Sequence, residues 1–256
     1  MGLVVTIFVL FIFLPILAVF LRIDLNQVFS QVQDIKILNA IFLGLATSIA
    51  ATGISFLFAV PTAYVLATRN FRGKAIVDTL IDLPIVLPPA VAGVALLLAF
   101  APKGILGPLI NSIGLILPGS TIAVIISQIF VASPFILRSA KTAFEHLNPD
   151  IVNSAKILSD SQSRIFFTIV LPLSVRQILS GVLMTWARSM GEFGATIMFA
   201  GNLPGVTQTM PLAIYQLMSQ DPNAAIVLSA ILIAFSFAFL IAVKLLEQKK
   251  YGERRD

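Results

Sequence analysis

The sequence predicts an all-α membrane protein with about six transmembrane helices. Hydrophobic residues make up 58% of the 256-residue chain and charged residues only 11%, with a mean hydropathy of +0.98, whereas a soluble domain carries about 25% charged residues. Six stretches come close to the roughly 20 apolar residues that a helix needs to cross the hydrocarbon core. Alternating apolar and polar residues do not recur in segments of about ten, so a membrane β-barrel is not predicted.

The six predicted spans are continuous apolar stretches separated by polar segments. Their approximate ranges are Leu3–Leu21, Ile41–Thr68, Thr79–Ala101, Thr121–Leu137, Leu173–Ala200 and Ala224–Val243. No Lys or Arg precedes Arg22 and no A-x-A site follows it, so the first span is predicted to be a retained helix rather than a signal peptide. Pro84, Pro88 and Pro89 predict a bend in the third span, which either improves helix packing or shapes a cavity.

Basic residues fall mainly on one side of this topology. Three lie between the second and third spans, five between the fourth span and the start of the fifth, and five in the C-terminal tail, together 13 of the 17. They are Arg69, Arg72, Lys74, Arg138, Lys141, Lys156, Arg164, Arg176, Lys244, Lys249, Lys250, Arg254 and Arg255. Positively charged loops face the cytoplasm, so both termini are predicted to be cytoplasmic. The net charge of +5 is then a topology signal, and no nucleic-acid partner is predicted.

The predicted fifth span contains two charged residues, Arg188 and Glu192, with Thr185, Ser189 and Thr196 at helical spacing beside them. Charges inside a membrane are costly and usually face a protein interior or a water-filled path. Arg188, Ser189, Glu192 and Thr196 are therefore candidates for lining a translocation path. A structural i,i+4 ion pair between Arg188 and Glu192 is the alternative, and the sequence does not decide between the two.

The longest predicted cytoplasmic connection, about residues 138–172, contains a short helix. Asn148 can cap it and Pro149 suits its first turn. Helical spacing also relates the residues of a small, weakly apolar face, Ile151, Ser154, Ala155 and Leu158. This face is too small to stabilise an isolated helix. The helix is expected to dock into a partner protein, or else to pack against its own chain.

Several chemistries are excluded or disfavoured. The chain has no Cys and its one histidine, His146, lies in the cytoplasmic loop, so no metal site, cofactor or catalytic residue is predicted. It lacks a G-x-x-x-x-G-K-[ST] phosphate loop, so any ATP hydrolysis belongs to another chain. A proton-coupled transporter using Glu192 is the main rival, but Arg188 favours the ionised carboxylate and no repeated halves are found. A pore-less structural subunit and an intramembrane enzyme are weaker alternatives.

The cytoplasmic loop resembles the coupling loop of bacterial ABC-importer permeases, which reads E-A-A-x-x-x-G followed by I-x-L-P. Here the motif is Asn153-Ser154-Ala155, then Ser159, then Ile169-Val170-Leu171-Pro172. Asn153, Ser154 and Ser159 stand where the family has Glu, Ala and Gly. The resemblance implies a set of residues that contact an ATPase, namely Asn153, Ser154, Ala155, Leu158 and Ser159.

A second resemblance lies in the fifth span and the loop after it. Gly191–Thr196 (GEFGAT), Gly201–Gly205 (GNLPG) and Thr207–Thr209 (TQT) are similar to the molybdate permeases, and sulfate and tungstate permeases look related. The similarity extends over about 41–243, within one transmembrane domain over 1–256. It implies a type I importer in a prokaryotic cytoplasmic (inner) membrane, in which two permease copies, a cytoplasmic ABC ATPase dimer and an extracytoplasmic oxyanion-binding protein cooperate. The sequence does not separate the three oxyanions.

Because the chain contains no cysteine, single-cysteine variants test the topology directly. Cysteines at Gly73, Asp160 and Gly252 should react with an impermeant thiol reagent only from the cytoplasmic side, since these positions lie in the basic segments. Cysteines at Gln33 and Gly104 should react only from outside. Labelling is read in intact cells and in inverted vesicles, and the reverse pattern would refute the predicted orientation.

Overall fold

The computed structural model of the chain describes residues 2–23, 28, 33–158 and 161–252. Within these ranges all regular secondary structure is helical, as predicted. The chain divides into two compact units, Met1–Gly44 with Asn202–Asp256, and Leu45–Gly201. A single transmembrane domain over 1–256 stays a prediction.

The helices are labelled in chain order. They are α1 (Gly2–Leu21), α2 (Ile35–Thr68), α3 (Lys74–Val86), α4 (Pro89–Phe100), α5 (Gly107–Ser112), α6 (Thr121–Glu145), α7 (Pro149–Leu158), α8 (Gln162–Ile165), a π-helix (Phe166–Val170), α9 (Leu171–Met190), α10 (Gly194–Phe199), α11 (Met210–Gln220) and α12 (Pro222–Gly252). Five continuous helical segments of the described chain are long and apolar enough to cross a membrane, and the bent pair α3–α4 makes six. The predicted number of spans is confirmed.

The third span is not one continuous helix. Helices α3 and α4 meet at an angle of 117°, and the backbone is extended at Leu87 (ψ 134°) and Pro88 (ψ 132°). Each proline removes an N–H donor and pushes the residue before it out of the helical region. The prediction of a bend here is therefore confirmed, and the third span consists of two helices rather than one continuous helix.

The fifth span also differs from its predicted range, Leu173–Ala200. A helical segment runs over Gln162–Met190 and includes the π-helix. It ends at Gly191, and a separate short helix, α10, begins at Gly194. Most residues on both sides of this break are apolar, so hydropathy alone does not reveal it. Arg188 and Thr196 consequently lie on two different helices, and the prediction of one shared helical face is wrong.

The fourth span continues two turns beyond its predicted end at Leu137, to Glu145. Arg138 and Lys141, predicted to lie in a loop, are on this helix instead. Each pairs with a carboxylate of α3: Arg138 Nε lies 2.5 Å from Asp82 Oδ1, and Lys141 Nζ lies 2.8 Å from Asp78 Oδ2. These ion pairs provide charged partners for the end of α6 and attach the largely exposed helix α3 to it.

Two apolar clusters form the core of unit 45–201. One joins α2, α6 and α9 with the π-helix, and the other joins α4, α6 and α10. Helix α6 contributes to both, and it approaches α9 closely at Gly181. A Cβ atom added to Gly181 would lie 2.5 Å from Ser139 Cβ and 3.1 Å from Ile136 Cα, so only glycine allows this spacing.

Three side-chain hydrogen bonds to backbone carbonyls run along the same α6–α9 interface. Near its middle, the Thr185 hydroxyl donates to the Ala132 carbonyl at 3.3 Å. At one end the Ser139 hydroxyl donates to the Gln177 carbonyl, and at the other the Gln128 amide donates to the Ser189 carbonyl at 3.1 Å. In a membrane such contacts, together with small residues, provide the attraction between helices that hydrophobicity provides in water.

In the other unit, the polar loop after Gly201 folds onto α11 through Gln216. The Gln216 side-chain oxygen accepts hydrogen bonds from the Gln208 amide at 2.6 Å and the Asn202 amide at 3.3 Å. Gly205 has φ +75°, a conformation that favours glycine, and Thr207 is fully buried. The loop therefore has a structural reason for its Asn, Gly, Thr and Gln residues.

Candidate functional site

Glu192 lies in the break between α9 and α10 and is almost completely buried, with 1% of its side chain exposed. One carboxylate oxygen, Oε1, accepts the Ala195 backbone N–H at 2.7 Å, which satisfies one of the free donors at the start of α10. The other, Oε2, lies 2.7 Å from Arg188 Nη1, as an ion pair rather than an aligned hydrogen bond. This carboxylate thus joins the end of one helix to the beginning of the next.

The four predicted path residues differ in exposure. The Arg188 side chain is 31% exposed, whereas Ser189, Glu192 and Thr196 are buried within the chain. The hydroxyl groups of Ser189 and Thr196 have no hydrogen-bond partner among the described residues. The structure therefore brings Arg188 and Glu192 into contact, and among the four it leaves only the guanidinium accessible.

Gln128 is a polar residue of this region that the sequence analysis did not select. It is 1% exposed, and its amide holds the Ser189 carbonyl one turn before the break. Its side-chain oxygen is buried without a partner in the described chain, and such an orphaned group costs about 1–3 kcal/mol. An amide in an otherwise apolar helical stretch, Thr121–Leu137, was the available signal.

Helix α10 is placed by very close packing against α4. A Cβ atom added to Gly93 would lie 2.5 Å from Met198 Cβ and 2.8 Å from the Ala195 carbonyl oxygen. An atom added to Gly194 would likewise collide with Pro89. The proline-induced bend between α3 and α4 therefore orients α4 to support α10, and with it the Glu192 carboxylate.

The predicted coupling helix forms as α7, Pro149–Leu158. The Asn148 side chain accepts the Asp150 backbone N–H at 2.9 Å, which confirms the predicted cap. Asn153 and Ser154 are exposed. The side chains of Ala155 and Leu158, and Ser159 as a whole, lie outside the described part of the chain.

Comparison with known proteins identifies the family. Residues 59–250 match the family of binding-protein-dependent transport system inner membrane components. The chain belongs to this family. A molybdenum transport system permease protein of Mycobacterium tuberculosis is 35% identical over 235 residues, covering 92% of this chain and 89% of that protein. A probable sulfate transport system permease protein of Chlorokybus atmophyticus is 31% identical over 204 residues, covering 79% of this chain and 71% of that protein.

The fold agrees with this assignment. A bacterial ABC transporter that imports the acidic polysaccharide alginate superposes with a TM-score of 0.73 at 18% identity, covering 98% of this chain and 94% of that chain. The protein is thus a multi-pass inner-membrane permease of an ABC importer with the type I fold. It is a transport subunit rather than an enzyme.

The Arg188–Glu192 contact predicts unequal effects of substitution. Arg188→Met should destabilise the protein by about 3–5 kcal/mol, because it leaves a buried carboxylate unpaired. Glu192→Gln should cost less, since the amide oxygen can still accept the Ala195 N–H and Arg188 can turn toward solvent. The double variant should lose less than the sum of both. A double-mutant cycle on thermal unfolding in detergent measures the coupling; additive losses would mean that the pair does not interact.

Proposed function

We propose that this permease carries molybdate across the inner membrane, as part of a complex driven by ATP. The observation that carries this proposal is the 35% identity to the Mycobacterium tuberculosis molybdenum permease over nearly the whole chain, which exceeds the similarity to the sulfate permease in identity and coverage. The resemblance of the GEFGAT, GNLPG and TQT segments to the molybdate permeases supports it further. Transport of sulfate or tungstate is the alternative.

The translocation path is proposed to pass beside the α9–α10 break. Arg188 offers guanidinium donors to a passing oxyanion. The Glu192 carboxylate reduces the net charge of the Arg188–Glu192 pair, so that an anion binds there only weakly. Buried Ser189 and Thr196 form the wall behind Arg188. A weak path of this kind leaves selectivity to the extracytoplasmic binding protein. The same paired carboxylate argues against a proton carrier at Glu192.

Two copies of the chain are proposed to form the path, with both termini in the cytoplasm and an ATPase dimer below. Helix α7, whose described side chains are exposed, is the proposed contact with the ATPase, through Asn153, Ser154, Ala155, Leu158 and Ser159. Helix α7 is followed by α8, the π-helix and α9. Movement of α7 would therefore be transmitted along α9 to Arg188.

Uptake by proteoliposomes containing the permease, its ATPase and its binding protein tests the proposal. Labelled molybdate should accumulate in the vesicle lumen only when ATP is enclosed on the side of the membrane that carries the ATPase. Unlabelled molybdate should inhibit this uptake more strongly than unlabelled sulfate does. A preference for sulfate would contradict the proposed substrate, whereas uptake without the ATPase would contradict the class of transporter.

A matched pair of variants tests the coupling helix in the same vesicles. Ser154→Trp should abolish ATPase association and uptake, because the indole prevents close docking at α7. Ser112→Trp, at an exposed position of α5 that the proposed topology places outside, should leave both unchanged. Normal association with Ser154→Trp would remove α7 from the interface.

A further inference from the structure

A cavity of about 440 Å³ lies between the C-terminal end of α2 and the segment formed by α8 and the π-helix. Both walls change from apolar to polar in the same direction. Along α2 the lining passes from Val65 to Arg69, and on the opposite wall it passes from Phe167 back to Ser163. Arg69 and Ser163 line the same cavity, and both belong to segments that the sequence predicts at the cytoplasmic ends of their spans.

The apolar part of the cavity is preformed and exposed. Tyr64 and Phe144 hold Phe166, with ring-centroid distances of 4.9 Å from Tyr64 to Phe166 and 6.1 Å from Phe144 to Phe166. The following ring, Phe167, is 64% exposed, and Val65 on the facing wall is 44% exposed. Large apolar side chains directed into a cleft at the membrane boundary are suited to contact with an acyl chain.

The polar end carries positive charge. Arg69 lines the cavity together with the hydroxyl of Ser163, and no Asp or Glu is among the described residues lining it. Arg164 directly follows Ser163 in the sequence. Arginine recognises phosphate through several parallel donors, and basic pockets between spans on the cytoplasmic side attract anionic lipid head groups.

We propose that this cavity is a binding site for one anionic phospholipid of the cytoplasmic leaflet. Arg69 and Ser163 hold the phosphate, and the first part of one acyl chain lies between Val65 and Phe167. The volume falls within the range of about 300–1,000 Å³ typical of small-molecule sites. Because the cavity adjoins the π-helix that connects α8 to α9, a bound lipid would contact the segment between the coupling helix and α9.

Native mass spectrometry of the purified full-length chain tests this site. The delipidated protein is offered phosphatidylglycerol and phosphatidylcholine at equal mole fraction in mild detergent. We expect phosphatidylglycerol to be retained preferentially, and Arg69→Gln to lower this preference about fivefold, as expected for one basic residue near a head group. The matched control Arg72→Gln, an exposed arginine outside the cavity, should have little effect.

Cavity-filling distinguishes a lipid from a free anion. Val65→Trp should reduce retention of phosphatidylglycerol, because the indole occupies the space of the acyl chain, and Phe167→Ala should weaken it by removing the facing wall. Glycerol phosphate, which carries the head-group phosphate without acyl chains, should compete poorly. Thermal unfolding confirms that each variant is folded. If only one of Val65→Trp and Phe167→Ala folds, that variant alone is sufficient for the test.

Four results would overturn the proposal: equal losses from Arg69→Gln and Arg72→Gln, equal retention of the two lipids, full competition by glycerol phosphate, or displacement of the lipid by the purified ATPase. The inference uses the cytoplasmic orientation proposed above. Lipid binding in detergent does not depend on that orientation, and cysteine labelling tests the orientation separately. The lipid site and the orientation can therefore be refuted independently of each other.

Discussion

The close approach of α6 and α9 at Gly181 is the contact on which the rest of unit 45–201 depends. Helix α6 belongs to both apolar clusters, and α9 carries Arg188 at its end. In lipid, apolar surface gains little by leaving the solvent, so short backbone separation and hydrogen bonds must hold the helices together. Gly181 provides the separation, and Ser139, Thr185 and Gln128 provide bonds spaced along the interface. The two helices are therefore expected to move as one body.

The functional region sits at the end of this helix pair. Gln128 fixes the last turn of α9, and Glu192 then connects Arg188 to the first turn of α10. Helix α10 in turn rests on α4 through Gly93. A chain of packed elements thus runs from the proposed coupling helix to the proposed path. Ser189 and Thr196 are buried within the chain, whereas the Arg188 side chain is 31% exposed.

Local and compositional features of the structure could be predicted from the sequence. Apolar runs gave the number of spans, and Asn148-Pro149 gave the start of α7, because a cap depends on adjacent residues. Hydropathy does not predict the break at Gly191, because most residues on both sides are apolar, and the bond from the Ala195 N–H to the Glu192 carboxylate forms only in the folded break. Arg138 was assigned to a loop because its partner, Asp82, lies 56 residues away. Such long-range contacts leave no local pattern.

Thermal unfolding of two glycine-to-alanine variants in detergent tests the dependence on the α6–α9 contact most directly. Both positions are inside helices, where alanine gains up to about 1 kcal/mol in propensity. An added Cβ at Gly53 meets nothing within 4 Å, so Gly53→Ala should be neutral or stabilising. At Gly181 it collides with Ser139 and the α6 backbone, so Gly181→Ala should destabilise the protein by about 1–3 kcal/mol. Equal stability of the two variants would contradict the central role of this contact.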